Sequence, residues 1–375
     1  MLWIGLMSGT SADGTDAALV DLGESPRELA LVHFCSSPFS DSLRERIHGA
    51  LAGPVALREL LALDRELGER FAEAALALLR AAGIAPSAVA GIGSHGQTLA
   101  HYPDSDVAGS LQLGSAAEIH ARTGIRVISD FRRADLAAGG QGAPLTPFLH
   151  HARFATDRER RAVLNIGGFT NVSYLPDSSA DRLIAFDPGP GNALLDRAAR
   201  WASAGRERFD ESGARARRGR VDEALLEELL SDPYFSLPPP KSTGHEHFGT
   251  GFFERARRGI EAAGGGADDL LATLAALTSE SVARSAERFF PEPAERWLAC
   301  GGGVHNAALL ERLAARLAPA VLETTDAHGV PGDALEAVAF AVLGWASSRG
   351  LPGNLPAATG AARSVVLGSA TPPGC

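Results

Sequence analysis

One construction occurs twice in this chain, and it limits what the chain can become. Leu2 to Leu6 is an apolar run that breaks into a Gly/Ser/Thr turn, and a second apolar run, Ala17 to Leu22, follows it. Ala162 to Ile166, the Gly167-Gly168 turn and Val172 to Leu175 repeat the design at the head of the second half. Each reads as a β-hairpin with a small-residue bend that leaves the backbone bare. At 375 residues the chain is past the size at which one core usually divides. The expected fold is therefore α/β, with two duplicated units facing across a cleft.

Between these hairpins the periodicity is mostly helical. Leu60, Leu63, Leu67, Phe71, Ala74 and Leu78 predict one long amphipathic helix over Leu57 to Ala82. Helices are also expected over Ala193–Ala204, Asp222–Ser231, Asp268–Phe290, Asn306–Leu317 and Asp333–Ser348. Val89–Ser94 reads as a buried strand entering the loop SHGQTLAH, and Ile125–Ser129 as another strand. The flexible segment 137–145, AAGGQGAPL, is the candidate boundary. The last short apolar run, Ser364–Leu367, is placed to return to the first domain. The predicted domains are thus 1–136 plus 362–375, and 137–361.

Composition removes several classes of function. A net charge of −10 leaves no basic footprint for nucleic acid. Three scattered cysteines make neither a disulfide framework nor a metal knuckle. The start MLWIGLMSGT has no basic n-region, and the clean apolar stretch Val338–Ala346 is too short to span a membrane. A cytoplasmic protein is expected. Among 35 basic residues Lys241 is the only lysine, which singles it out as a place where a compact ammonium is wanted.

The chemistry-bearing residues gather at the turns. In GTSADGTD (9–16), Gly9, Thr10, Ser11, Ala12 and Gly14 offer backbone N–H groups to an anion, and Thr10, Ser11 and Thr15 add hydroxyls. Asp13 and Asp16 can meet a cation directly or through water, as Mg²⁺ prefers. The plainer reading is a hairpin with ordinary turn residues. NIGGFTN (165–171) brings Gly167, Gly168 and Asn171 to the matching bend. CGGGVHN (300–306) sets Gly301, Gly302 and Gly303 between a strand and the helix at Asn306, a place for close backbone approach to a nucleotide. Asn306 stands where a GxGxxG fingerprint needs glycine, and no GxxxxGK[ST] occurs.

FDPGPGN (186–192) holds Asp187 at a strand end before a rigid Pro/Gly turn. That placement suits a general base, and equally a turn-capping aspartate. Lys241, Ser242 and Thr243 read as an anion-binding cluster, with His245 and His247 as surface histidines. His95, Gln97, Asp130, Arg132, Arg133 and Gln141 lie in glycine-rich segments at strand ends, a mixed-sign set suited to a hydroxylated, acidic small molecule. Glu336 sits on a helix that is apolar almost all round; it is a cap, a surface position or a buried ligand contact.

Taken in order along the chain, GLMSGTSADGTD, GSHGQTLAH, SDFRRADLAAGGQGAPLTP, NIGGFTNVSYL, AFDPGPGN, KSTG, CGGGVHN, TTDAHGVPGDALEAVAFAVLGW and LPGNLPAATGA closely resemble the anhydro-N-acetylmuramic acid kinase family. That family belongs to the sugar kinase/Hsp70/actin superfamily. The resemblance implies a two-domain actin-like ATPase fold, a ribonuclease H-like unit duplicated about an interdomain cleft. It implies ATP and Mg²⁺ at residues 9–16, with Asp13 and Asp16 toward the metal. A second phosphate loop is implied at Gly167, Gly168 and Asn171, joined by Gly189, Gly191 and Asn192, and an adenosine loop at Gly301, Gly302, Gly303 and Asn306.

By the same resemblance Asp187 is the catalytic base, and Gln97, Asp130, Glu336 and Lys241 fall on the sugar side. The implied reaction opens and phosphorylates 1,6-anhydro-N-acetylmuramic acid in cell-wall recycling, with a homodimer as the working form. The chain departs from the wider pattern at Met7 and Asn165, where aspartates are usual. It departs from the family at His245, in place of arginine, and Pro188, in place of threonine. The competing enzyme reading is a conventional kinase for a free 6-hydroxyl amino sugar, and the competing class is an ATP-gated binding module.

Overall fold

The computed structural model describes residues 1–9, 12–103 and 108–372. Thr10 and Ser11 of the first loop, and the last three residues of the expected 362–375 segment, lie outside the described residues. The chain divides into two compact units, Met1–Phe154 with Ala334–Cys375, and Ala155–Asp333.

In the first unit, β1 (Leu2–Ser8) and β2 (Gly14–Leu22) form the expected hairpin, with Leu6 opposite Ala17 and Met7 opposite Asp16. β3 (Leu29–Pro38) extends it antiparallel. On the other side, β4 (Val89–Tyr102) and β6 (Val127–Ser129) run parallel to β1, and β5 (Gly109–Leu113) folds back on β4. The short strand Ser369–Thr371 closes the far edge against β6. The C-terminal return thus forms, a few residues later than the apolar run suggests. β1 is buried almost throughout, as a central strand covered on both faces must be.

The helix Leu57–Ala82 matches its predicted span and buries Leu63, Leu67, Phe71, Ala74 and Leu78. Gly83, at φ 67, ends it in the left-handed region. The helix Leu335–Ser348 packs on β1 and β4. Gly5 and Gly93 make that approach possible, because a Cβ there would lie 1.7 Å from Ala337 O and 1.9 Å from Phe340 O. This packing puts residues from Ala334 onward in the first unit, not the second. The helix Pro147–Phe154 touches the same element and moves the other division from 136/137 to 154/155.

The second unit repeats the plan. β7 (Arg161–Ile166), β8 (Phe169–Leu175) and β9 (Ile184–Pro190) form an antiparallel meander. β10 (Arg296–Cys300) and β11 (Val321–Thr324) continue from β7 in parallel. The order β11-β10-β7-β8-β9 matches β6-β4-β1-β2-β3 strand for strand. The helix Ala267–Phe289 buries Leu270, Leu274 and Leu277 in the core of this unit. Two expectations change: SHGQTLAH lies within β4, kinked at Gly96 (φ 80), and an unforeseen helix occupies the charge-rich Thr250–Ala262.

Candidate active site

The β1–β2 bend is braced from beneath. Ala12 N–H donates to Gly9 O at 3.1 Å, and Ala12 itself is fully buried at φ 49. Gln97 Nε2 donates to Gly9 O at 3.2 Å, and its Oε1 lies 2.6 Å from Ser8 Oγ. Gln97, expected on the sugar side, is buried, and its amide holds the turn in shape. Asp13 is exposed at the bend and Asp16 half-buried on β2.

The charge of Asp16 acts on Glu336, which lies in the first turn of the helix Leu335–Ser348. Burial, and then the Asp16 charge, push the Glu336 carboxyl above its usual range, against the pull of Arg132. Arg132 is fixed by acceptors. Its Nη1 donates to Gly142 O at 2.8 Å, and its Nη2 and Nε reach His95 Nε2 at 2.8 and 3.1 Å. His95 Nδ1 donates to Gly96 O at 2.9 Å, so its Nε2 carries the lone pair that Arg132 uses. Burial, reinforced by Arg132, holds that imidazole neutral, and burial brings Arg132 down to about 10.

Asp130 follows β6 at φ 59, in the left-handed region that aspartate enters more readily than most side-chain-bearing residues. Burial raises its carboxyl and Arg133, at 3.5 Å, opposes the rise. The 139–142 segment between these groups is pinned by the buried Asp135. Its Oδ2 accepts from Gly142 N–H at 2.7 Å, and its Oδ1 from Asn354 Nδ2 at 2.6 Å and Thr359 Oγ1 at 2.7 Å.

In the second unit the glycine turns meet one another. The Gly167 and Gly168 carbonyls accept from Asn192 N–H at 2.8 Å and Ala193 N–H at 3.0 Å, so the hairpin bend caps the helix Asn192–Ala202. A Cβ on Gly191 would sit 2.5 Å from Gly167 O, and one on Gly301, at φ 77, would sit 2.2 Å from Asn165 Oδ1. Gly302 flanks the Asn192 amide, and Gly303 is pressed against Ile166. Asn171 pairs with Asn165 across the hairpin, and Gly189 exchanges hydrogen bonds with Thr170 Oγ1 at 3.0 and 3.2 Å. Asn306, expected on the nucleotide, uses its Oδ1 to accept from Leu309 N–H at 3.1 Å as a helix cap.

Asp187 lies within β9, which runs on to Pro190 paired with Phe169, so Pro188–Pro190 continue the strand where a rigid turn was expected. Its N–H donates to Lys241 O at 3.0 Å, its carbonyl accepts from Tyr234 Oη at 2.8 Å, and its Oδ2 accepts from Thr243 N–H at 3.0 Å. Oδ1 accepts no hydrogen bond from the described residues. Burial dominates and pushes the carboxyl from 3.8 up to about 7; Thr243 N–H and Lys241 pull it down, and Glu246 adds to the rise. A half-buried carboxylate with one free oxygen and a proton affinity near neutrality can take a proton from water.

Lys241 was expected to bind an anion beside Ser242 and Thr243. It is buried instead, with Nζ donating to Tyr234 O at 3.3 Å. Tyr234 escaped sequence reasoning: it stands 47 residues from Asp187, in a Pro-flanked turn that carries no chemical signature. Asn354 and Thr359 lie in LPGNLPAATGA, but their partner Asp135 is more than 200 residues away.

Two sheets of one strand order, each with a small-residue bend at its leading hairpin, define the class: a duplicated ribonuclease H-like α/β protein. The sequence model of the family described as anhydro-N-acetylmuramic acid kinase matches residues 1–373. The chain is 43% identical over 380 aligned positions to the anhydro-N-acetylmuramic acid kinase of Gloeobacter violaceus, covering 100% of this chain and 99% of that one. Similar solved structures include the activator of the 2-hydroxyisocaproyl-CoA dehydratase from Clostridium difficile with bound ADPNP, at 12% identity, 93% and 96% coverage and a TM-score of 0.46. A ROK family glucokinase from Streptomyces griseus in complex with glucose and AMPPNP gives 13% identity, 92% and 99% coverage and a TM-score of 0.40. The chain belongs to the anhydro-N-acetylmuramic acid kinase family, whose members are kinases of peptidoglycan recycling.

Proposed function

We propose that this chain uses ATP to open 1,6-anhydro-N-acetylmuramic acid and phosphorylate its O6, giving N-acetylmuramate 6-phosphate and ADP. The Asp187 carboxyl carries the reading: one oxygen is held by Thr243 N–H, the other is open, and its proton affinity is tuned to about 7. The anhydro bond ties O6 to C1, so no 6-hydroxyl exists until that bond breaks. Asp187 removes a proton from water as the water oxygen bonds to C1. The C1–O6 bond breaks with its electron pair on O6, and O6 attacks the γ-phosphorus of ATP as ADP leaves.

The 9–16 turn and Gly167-Gly168 are assigned to the phosphates, with Gly191, Asn192 and Gly301–Gly303 shaping the nucleotide side. Among the described residues no group of three His, Cys, Asp or Glu forms a metal cage. Asp13 and Asp16 nevertheless fit Mg²⁺, which takes one or two carboxylates and fills its remaining positions with phosphate and water. Asp16 already raises the Glu336 carboxyl, a repulsion that a cation would relieve. Mg²⁺ there would neutralise charge on the transferring phosphoryl group. Asp130, Arg132 and Glu336 are assigned to the sugar. No helix of the described residues is long and apolar enough to cross a membrane; the family resemblance supports a cytoplasmic homodimer.

Turnover in ¹⁸O-water followed by mass spectrometry tests the reaction. The label is expected at C1 of the phosphorylated product, and Asp187→Asn is expected to form no product while still binding ATP. Unlabelled C1 overturns the hydrolytic step, and retention of more than about a hundredth of wild-type kcat moves the base elsewhere.

A further inference from the structure

The only lysine of the chain is buried in the second unit, with its carbonyl accepting from Asp187 N–H at 3.0 Å. Lys241 is 8% exposed, and its Nζ lies 4.7 Å from the ring centre of Tyr234, 5.2 Å from that of Phe289 and 5.7 Å from that of Phe186. Its Nζ donates a hydrogen bond to Tyr234 O, and no carboxylate forms an ion pair with it among the described residues. Three hydrogen bonds, two from side chains and one from the backbone, close a circuit around the base: Asp187 N–H to Lys241 O, Tyr234 Oη to Asp187 O, and Lys241 Nζ to Tyr234 O. An ammonium desolvated in this way is expensive unless something uses its charge.

We propose that Lys241 is a positioning residue: a cation caged by three aromatic rings that touches neither sugar nor nucleotide and keeps the Asp187 carboxyl ionised for proton abstraction. Arginine fits this place less well, because a planar guanidinium with five donors finds one carbonyl here and three ring faces. This explains why a chain that uses arginine for every other basic position keeps lysine at this one. The inference rests on the assignment of Asp187 as the base.

The charged and titratable groups in this environment are few. Lys241 and Glu246 act on Asp187 from the segment that follows the proline run. Burial brings the Lys241 ammonium down to about 8, Arg288, from the helix Ala267–Phe289, adds to that fall, and Asp187 opposes it, so Lys241 is a cation across the acid limb. Tyr234 contacts both and stays a neutral phenol, since burial and the Asp187 charge raise it. Lys241 is therefore the cationic member that opposes the cost of burying the Asp187 carboxylate.

The test is the pH dependence of kcat/KM between pH 5 and 9 for the full-length enzyme, its Lys241→Met and Lys241→Gln variants, and Lys241→Arg. Loss of the charge is expected to move the acid limb up by about one pH unit in both neutral variants, with activity recovering above it. At pH 6 this is about a tenfold loss, while KM for ATP stays unchanged. Lys241→Arg, which keeps a cation, is expected to keep the wild-type limb even at reduced rate. A uniform loss at every pH in both neutral variants overturns the proposal in favour of simple packing. A raised KM for the sugar with no movement of the limb overturns it in favour of substrate contact. If Asp187→Asn remains active, the base itself is wrongly assigned; if that variant is inactive and the limb does not move, only the role of Lys241 fails.

Discussion

Asp187→Asn is expected to stabilise the second unit at alkaline pH while it stops the chemistry. In the folded chain burial holds the carboxyl's proton to about pH 7, against an ordinary 3.8. Below about pH 4 both folded and unfolded states are protonated, and the group costs nothing. Between the two values the folded state binds the extra proton, so stability falls as pH rises. Above about pH 7 the whole cost of an ionised, desolvated carboxylate is in place. Taken in full that cost is about 4 kcal/mol. Water reaching a half-buried carboxyl screens it, which leaves an expected gain of about 2 kcal/mol for the variant at pH 8. Asparagine keeps an oxygen for Thr243 N–H, so the 3.0 Å bond survives. Urea unfolding of both proteins at pH 5 and pH 8 reads the difference. The advantage of the variant should be less than half as large at pH 5. An equal difference at both pH values, or a variant less stable at pH 8, would refute a carboxylate held at a thermodynamic cost for the sake of its reactivity.

The close contact of the helix Leu335–Ser348 with β1 makes Gly5→Ala a severe change: its methyl would meet a backbone oxygen, Ala337 O, at 1.7 Å. About 3 kcal/mol of destabilisation and a lowered Tm are expected, and an unchanged Tm would contradict that packing. Gly301→Ala combines a φ of 77 with a 2.2 Å approach to Asn165 Oδ1. It should raise KM for ATP about tenfold and leave KM for the sugar in place, since a strain of about 1.4 kcal/mol falls on the nucleotide side. Asn354→Ala removes one donor from buried Asp135 and should cost about 2 kcal/mol, with faster amide exchange at Gly142 as its local signature.

Much of the architecture was legible because it is written in short-range pattern. The hairpins at β1–β2 and β7–β8 announce themselves as apolar runs around small-residue bends. The span Leu57–Ala82 follows from one uninterrupted apolar stripe. The edges of the units were less legible. The glycines at 137–145 look like a linker, yet Asp135, Asn354 and Thr359 tie that segment into the first unit through partners that no local window contains. SHGQTLAH looks like a loop because it is polar, whereas β4 tolerates those residues by aiming Gln97 at the turn and His95 at Arg132.

Residue type and order alone determined the α/β class, the duplication, the two bends and the candidacy of Asp187, since each depends on neighbours within a few residues. Tertiary structure decided what each polar side chain does with its hydrogen bonds. Gln97 became a brace, Asn306 a cap and Lys241 a caged charge, and the Asp187 carboxyl acquired its neutral-range proton affinity from burial. Those outcomes depend on desolvation and on partners brought together from distant parts of the chain, and neither quantity exists until the chain has folded.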